Sequence, residues 1–107
     1  DLASRMLESI GFNIQIAKNG EEGLEKITEG YDLVILDLSM PVMDGFEFLS
    51  NLENIKLKNP PEIIVNSAMQ LDEVMVTKLM SQTSGIVDKT KIDARNDLKE
   101  MIKKLIS

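Results

Sequence analysis

The hydrophobic positions of this chain switch repeatedly between two spacings, which predicts that helices and strands alternate along it. Apolar residues at helical spacing predict helices over residues 1–10, 21–29, 46–55, 72–81 and 95–106. Short apolar runs and one alternating segment predict strands over residues 13–17, 33–36, 62–65 and 85–89. Such an alternation is typical of a parallel sheet with helices on both faces. The sequence therefore predicts one α/β domain.

The segment around Asp37 combines a buried strand with an acidic residue at its end. Residues 33–36 are an unbroken apolar run, which suits a strand buried on both faces of a parallel sheet. Asp37 follows directly, at the carboxyl edge of the sheet, where open α/β sheets bind their ligands. Pro41 cannot continue a strand, and Asp44 with Gly45 predicts a turn in which Asp44 caps the next helix. Asp37 is therefore a candidate functional residue, although an aspartate here could also serve only the turn.

Composition narrows the chemistry that this chain can perform. It has 107 residues, of which 43% are hydrophobic, enough for one domain with its own core. It contains no cysteine and no histidine, which excludes disulfides, thiolate or imidazole metal ligands and catalysis by either side chain. Any chemistry must use carboxylates, lysines, hydroxyls and the backbone.

The charge and hydropathy of the chain also limit its partners. A net charge of −6 disfavours direct nucleic-acid binding, which needs clustered Lys and Arg. No apolar run is long enough to span a membrane, and no signal-peptide pattern is present. We therefore expect a cytoplasmic domain that contacts neither nucleic acid nor membrane directly.

The loop after the central strand resembles the phosphoacceptor loop of response-regulator receiver domains. It reads DLSMP from Asp37, followed by MDG. Residues 11–22 resemble the second strand of that family and the turn after it, with Gly23 in place of the usual alanine. Ser67 and Ala68 match the Thr/Ser-Ala pair that ends the family's fourth strand, at the expected separation from Asp37.

The family also carries a lysine after its fifth strand. Lys89 has the right local spacing and is the predicted residue, whereas Lys91 is the alternative because counting back from Leu98 favours it. Thr90 occupies the position of the proline that usually follows this lysine. Ile86 occupies a position that is often aromatic, so the aromatic switch of the family is not expected here.

The resemblance implies a flavodoxin-like receiver fold, a doubly wound parallel sheet with strand order 2-1-3-4-5, over residues 1–107. The family's first strand ends in a pair of acidic residues that hold a divalent metal. Counting back from Gly11 places this strand before Asp1. We therefore expect an N-terminally incomplete receiver domain, whose first strand and acidic pair come from residues upstream or from another chain.

By the same resemblance, Asp37 accepts a phosphoryl group from a histidine kinase or phosphotransfer protein in a two-component phosphorelay. Ser67 acts as the switch hydroxyl, and Lys89 contacts the phosphoryl oxygens. Mg²⁺ is expected to bind Asp37, the backbone carbonyl of Ser39 and waters, provided that the acidic pair is supplied. The phosphoryl group then switches the conformation to control an output or a partner, and a homodimer is one such partner.

Two other functions remain open at the level of the sequence. A pseudo-receiver would keep the fold and bind a protein partner without being phosphorylated. A haloacid-dehalogenase-type phosphatase also uses a strand-end aspartate, but it needs a second aspartate where Ser39 stands, and this chain has no room for a cap domain. We expect no enzymatic activity beyond self-phosphorylation from a phosphodonor and autodephosphorylation. Taken alone, Ser67 could be a strand-end capping hydroxyl and Lys89 a solvated surface lysine.

Overall fold

The structure is a computed structural model that describes residues 19–106. Its helices are α1 (Gly20–Ile27), α2 (Gly45–Glu53), α3 (Glu73–Gln82) and α4 (Ala94–Ile106). Its strands are β1 (Leu33–Leu36), β2 (Glu62–Ser67) and β3 (Gly85–Asp88). The predicted helix over 1–10 and the predicted strand over 13–17 lie outside the described residues. Within them, the predicted alternation of helices and strands is confirmed.

The strands described here form one parallel sheet in the order β1-β2-β3. Leu36 is paired with Val65 in the first ladder, and Ser67 with Asp88 in the second. Because parallel strands end at the same edge, this register brings the residues that follow β1, β2 and β3 close together. The full order 2-1-3-4-5 stays a prediction, since it includes strands outside this part of the chain.

The core lies on both faces of this sheet. One cluster lies between the first face of the sheet, the loop after β1 and the helices α2 and α3. Its buried residues are Leu36, Leu38, Phe48, Leu49, Ile63, Val65 and Leu79. The second face and α4 contribute Ile64, Val87, Leu98 and Ile102. Consecutive residues of a strand point to opposite faces of a sheet, and Ile63 and Ile64 accordingly pack into the first and the second cluster. Helices therefore cover both faces, which is the predicted doubly wound arrangement.

The central strand is less buried than its sequence suggested. Leu36 is 4% exposed, whereas Leu33, Val34 and Ile35 are only half-buried. β1 is an edge strand of the described sheet, and an edge strand has a neighbour on one side only. The prediction that residues 33–36 are buried on both faces is therefore met in full only by Leu36.

Three element ends differ from the prediction by two residues, and the first is that of α1, which ends at Ile27 instead of Glu29. α2 ends at Glu53, because Asn54 takes the C-cap position, and Ile55 lies beyond the helix. β2 continues past Val65 through two polar residues, Asn66 and Ser67. These two residues extend the strand because β3 offers them ladder partners. None of the helices within residues 19–106 combines the length and apolar content that crossing a membrane requires.

Helices α1, α2 and α3 each begin with a side-chain cap. The caps are Asn19, Asp44 and Asp72, which accept hydrogen bonds from the amides of Glu22, Glu47 and Met75 at 2.9, 2.9 and 2.8 Å. Each such cap stabilises its helix by about 1 kcal/mol. The predicted role of Asp44 as the N-cap of the helix after the central loop is confirmed.

Candidate functional site

Asp37 lies where β1 leaves the core at the carboxyl edge of the sheet. The residues on either side of it, Leu36 and Leu38, are 4% and 0% exposed, whereas the Asp37 side chain is 40% exposed. The backbone is therefore anchored in the core while the carboxylate reaches solvent. This combination suits a residue that must be held still and yet meet a reactant.

Three hydrogen bonds converge on the Asp37 carboxylate. Its Oδ1 accepts from the Ser39 amide at 3.0 Å and from the Ser67 hydroxyl at 3.2 Å. Its Oδ2 accepts from the Lys89 ammonium at 3.2 Å. Ser67 and Lys89 lie 30 and 52 residues further along the chain. The structure thus brings together the candidate residues that follow or end all three described strands.

Ser67 both caps the end of its strand and contacts the Asp37 carboxylate. It is 3% exposed at the end of β2. Its Oγ donates to Asp37 and also accepts a hydrogen bond from the Met69 amide at 3.2 Å. The hydroxyl therefore caps the turn after β2 while touching the carboxylate, and any displacement of Ser67 changes the start of the loop that leads to α3.

Lys89 is the lysine that the structure places against Asp37. Its amide donates to the Ser67 carbonyl at 3.0 Å, which continues the β2-β3 ladder to the edge of the sheet. Its side chain, 42% exposed, then reaches the carboxylate. The alternative, Lys91, is exposed and lies near a different acid, since its positive charge helps to lower the pKa of Asp88.

The main cause of the low pKa of Asp88 is a pair of hydrogen bonds from Thr90. The Thr90 hydroxyl and amide donate to Asp88 Oδ1 at 2.6 and 2.9 Å. Both bonds favour the carboxylate over the carboxylic acid, and they lower the pKa more than Lys91 does. Thr90, at the position of the family's usual proline, therefore stabilises the turn after β3 through its hydrogen bonds to Asp88.

The loop between Asp37 and α2 is tightly constrained. The Gly45 amide donates to the Leu38 carbonyl at 3.1 Å, and a Cβ on Gly45 would lie 2.8 Å from the Asp37 carbonyl oxygen. This approach of two backbone segments explains why glycine occupies the position. Gly45 therefore packs against the backbone of Asp37 and Leu38, which brings the start of α2 next to the end of β1.

Sequence reasoning missed a strained turn in this loop. Val42 has a φ of 68°, and the Met43 amide donates to the Pro41 carbonyl across it at 2.7 Å, which is a γ-turn. For a β-branched residue this backbone conformation costs about 1–2 kcal/mol. The Met43 carbonyl in turn accepts from the Gly20 amide at 3.0 Å, which ties the loop to the start of α1. Valine itself carries no signal for a positive φ, so only the folded loop shows it.

The oxygen atoms at this edge fit the preferences of Mg²⁺. The exposed Asp37 carboxylate is a hard oxygen donor, as the Ser39 carbonyl predicted beside it would be, and magnesium uses few protein ligands together with several waters. Within residues 19–106 there is no cluster of three or more Asp, Glu, His or Cys side chains suited to a metal. The predicted acidic pair falls outside this range.

Comparison with known proteins shows which family this chain resembles. The family profile of the response regulator receiver domain matches residues 1–103. The transcriptional regulatory protein CpxR homolog of Haemophilus influenzae is 36% identical over 80 residues, which cover 74% of this chain and 34% of that protein. The cell cycle transcriptional regulator CtrA of Caulobacter vibrioides is 39% identical over 85 residues, 78% of this chain and 34% of that protein. The chain thus spans about a third of the length of these two curated relatives.

The fold agrees with solved receiver structures. The response regulator TrrA of Thermotoga maritima, solved in complex with Mg²⁺ and BeF, has a TM-score of 0.79 and 33% sequence identity. The alignment covers 98% of this chain and 87% of that structure. A CheY-like receiver domain from Methylobacillus flagellatus, at 19% identity and a TM-score of 0.76, shares the flavodoxin-like fold. With its profile match, its relatives and its fold in agreement, this chain belongs to the response regulator receiver domains of two-component systems.

Proposed function

We propose that Asp37 is the phosphoacceptor of this receiver domain. The observation that carries the proposal is the convergence of the Ser67 hydroxyl and the Lys89 ammonium on the two oxygens of an exposed carboxylate. A phosphoryl group that joins Asp37 brings negatively charged oxygens to this point. The donors that would stabilise this charge are therefore already directed at it.

The donor in the proposed relay is a phosphohistidine of a kinase or phosphotransfer protein. An Asp37 oxygen attacks the phosphorus, a P–O bond forms and the P–N bond breaks, and the donor imidazole keeps the bonding electron pair. Lys89 and Ser67 then hold the phosphoryl oxygens. Hydrolysis of the acyl phosphate later returns the carboxylate and inorganic phosphate.

Magnesium has a supporting role in the proposal. When bound by Asp37 and the Ser39 carbonyl, it would neutralise charge on the phosphoryl oxygens. The TrrA structure contains Mg²⁺ with BeF, which supports a metal in this family. The remaining acidic ligands are expected from the pair described above.

The proposed signal leaves the site through Ser67. Attraction of the Ser67 hydroxyl toward the phosphoryl group disturbs its hydrogen bond with the Met69 amide, and this alters the loop before α3. α3 exposes Val74 and Met80, at 78% and 54%, which offers an apolar surface whose presentation can change. We propose that this surface binds an output partner or a second copy of the chain, without direct contact to nucleic acid.

Phosphorylation of the purified chain tests the proposal. With Mg²⁺ and acetyl phosphate, we expect intact mass spectrometry to show one phosphoryl adduct on the wild type and none on Asp37→Asn. Asp44→Asn is the matched control, because it changes a nearby acid to another good helix cap and should keep the adduct. An adduct on Asp37→Asn would show that another residue is the acceptor.

The same experiment separates the alternative functions. A folded chain that carries the predicted upstream acidic pair and still forms no adduct would favour the pseudo-receiver, a protein-binding module without phosphorylation. Multiple turnover of a small phosphate ester would favour a phosphatase. The arrangement of Ser67 and Lys89 around Asp37 supports phosphoryl acceptance over both.

A further inference from the structure

Asn66 carries a nearly buried amide that has no partner within residues 19–106. It lies in β2, directly before Ser67, and is 7% exposed. Its side chain makes no hydrogen bond in the described part of the chain, where no unpartnered side-chain polar atom is fully shielded from solvent. The amide end therefore reaches a small opening while the rest of the residue is enclosed. A polar group this buried usually has a partner, so the opening is suited to a water molecule or a ligand oxygen.

The strand register places Asn66 at the level of Asp37. Leu36 is paired with Val65, so the next residue along each strand is Asp37 on β1 and Asn66 on β2. On its other side, Asn66 is paired with Val87 of β3. Asn66 is thus the residue of the middle strand that lies beside the proposed phosphoacceptor.

The alternation of side chains places both groups on one face of the sheet. Ile35 and Ile64 pack into the cluster beneath α4. Asp37 and Asn66 each follow one of these residues by two positions, and side chains two positions apart share a face. The same rule relates Lys89 to Val87, which packs into the same cluster.

The path of the Lys89 side chain passes Asn66. Because the strand order is β1-β2-β3, the ammonium must extend from β3 across β2 to reach the carboxylate on β1, a span of about 9.5 Å between strands. The residue of β2 on this face at this level is Asn66. Asn66 is therefore the residue of β2 that lies between Asp37 and Lys89 at this level of the sheet.

We infer that Asn66 is a third side-chain donor to the phosphoryl group on Asp37, an inference that rests on the proposed function. The phosphoryl group has three terminal oxygens, and the Ser67 hydroxyl and Lys89 ammonium supply two of the donors. The 3.2 Å contact between Lys89 and Asp37 leaves no space for a phosphorus atom with its oxygens. A phosphoryl group that joins Oδ2 therefore displaces the ammonium from that oxygen, on the face of the sheet that carries Asn66.

Binding of beryllofluoride with Mg²⁺ tests this donor directly. This probe imitates a phosphoryl group, and its affinity can be measured by calorimetry or from the amide NMR shifts of Ser67 and Lys89. Asn66→Leu removes the amide at similar size, and we expect about tenfold weaker binding, the effect of losing one hydrogen bond to a charged group. Asn66→Asp replaces the donor with an anion at the same size, and we expect a larger loss.

Two controls separate this role from packing. Asn54→Leu removes the amide of an exposed residue of the α2 C-terminus and should bind the probe like the wild type. Urea unfolding of Asn66→Leu should show stability equal to or above the wild type, because leucine replaces an unpartnered buried amide. A structural role would lower stability instead.

The outcomes also separate the two proposals. Equal affinity of the wild type and Asn66→Leu overturns the role of Asn66 and leaves Asp37 as the acceptor. Undiminished affinity of Asn66→Asp overturns the assignment of the amide as a donor. A chain that carries the predicted acidic pair and does not bind the probe overturns both proposals.

Discussion

At the scale of single residues, the ion pair between Lys89 and Asp37 contributes little to stability. The side chains of Lys89 and Asp37 are 42% and 40% exposed, and an ion pair this accessible to water contributes about 0–1 kcal/mol. In the proposed phosphoryl transfer, a lysine that stabilises the fold so little can move its hydrogen bond from Oδ2 to the arriving oxyanion at low cost. Ser67 differs, since it is enclosed and holds two partners at once. The site therefore combines one buried donor with one donor that is accessible to solvent.

A residue-scale prediction concerns the acid beside Lys89. Thr90→Val removes the hydroxyl hydrogen bond to Asp88, and we expect the pKa of Asp88 to rise toward its ordinary value while the amide bond keeps it partly lowered. Carboxylate NMR titration between about pH 2 and 6 measures this change. Thr77→Val, at an exposed position of α3, should leave the pKa of Asp88 unchanged.

The sign of the pH effect follows from the direction of the shift. The folded pKa of Asp88 lies below its unfolded value, so its contribution to stability is present above the unfolded pKa and is lost as the pH falls through the folded pKa. Thr90→Val should make stability less sensitive to pH in that acidic window. An unchanged titration of Asp88 in the variant would contradict the role given to the Thr90 hydroxyl.

At the scale of secondary elements, α3 depends more on its cap than the other helices do. Leu79 is its one buried residue, whereas Val74 and Met80 are exposed. Tertiary packing therefore holds little of this helix, and local interactions decide how well it forms. Asp72, which accepts from the Met75 amide at 2.8 Å, supplies the main local interaction at its start.

We therefore expect Asp72→Ala to lower the free energy of unfolding by about 1 kcal/mol. Asp72→Asn keeps an oxygen for the same bond and should change it much less. Urea unfolding followed by circular dichroism provides the comparison. If both variants lose the same stability, the charge of Asp72 and not its hydrogen bond stabilises α3.

The same scale shows where element boundaries could be predicted. The start of α2 was foreseen because Asp44 and Gly45 carry a local cap and turn signal. The end of β2 was not, because Asn66 and Ser67 are polar and extend the strand only through pairing with β3. When pairing with a neighbouring strand decides where a strand ends, the residues at that end carry little sequence signal for it.

At the scale of the whole molecule, the two-sided core holds the sheet edge in place. Ile102 of α4 is 0% exposed and packs with Ile64 and Val87 beneath the strands that carry the site. Ile92, in the loop between β3 and α4, is 99% exposed. The two isoleucines therefore have the same chemistry and opposite environments.

Truncation of these isoleucines should separate core from surface. We expect Ile102→Ala to lower the free energy of unfolding by about 2–5 kcal/mol, because it leaves a cavity, and Ile92→Ala to change it by less than about 0.5 kcal/mol. Thermal or urea unfolding measures both. A small effect of Ile102→Ala would mean that α4 packs on the sheet less closely than the structure indicates.

By itself, the sequence determined the features of this protein that depend on neighbouring residues. The periodicity of apolar positions indicated the α/β alternation, and the loop from Asp37 to Gly45 indicated the receiver family. Ser67 was predicted for the same reason, as part of a motif at a strand end. In each case the physical signal is local, because strand burial, caps and turns are encoded within a few residues.

Only the tertiary structure decided which side chains meet across strands. It placed Lys89 rather than Lys91 against Asp37, because the register of β3 against β2 sets which lysine can reach β1. It also buried most of Asn66 at the register level of Asp37 and forced a positive φ on Val42. These features depend on register and loop closure, which join residues far apart in the chain, so no short segment encodes them.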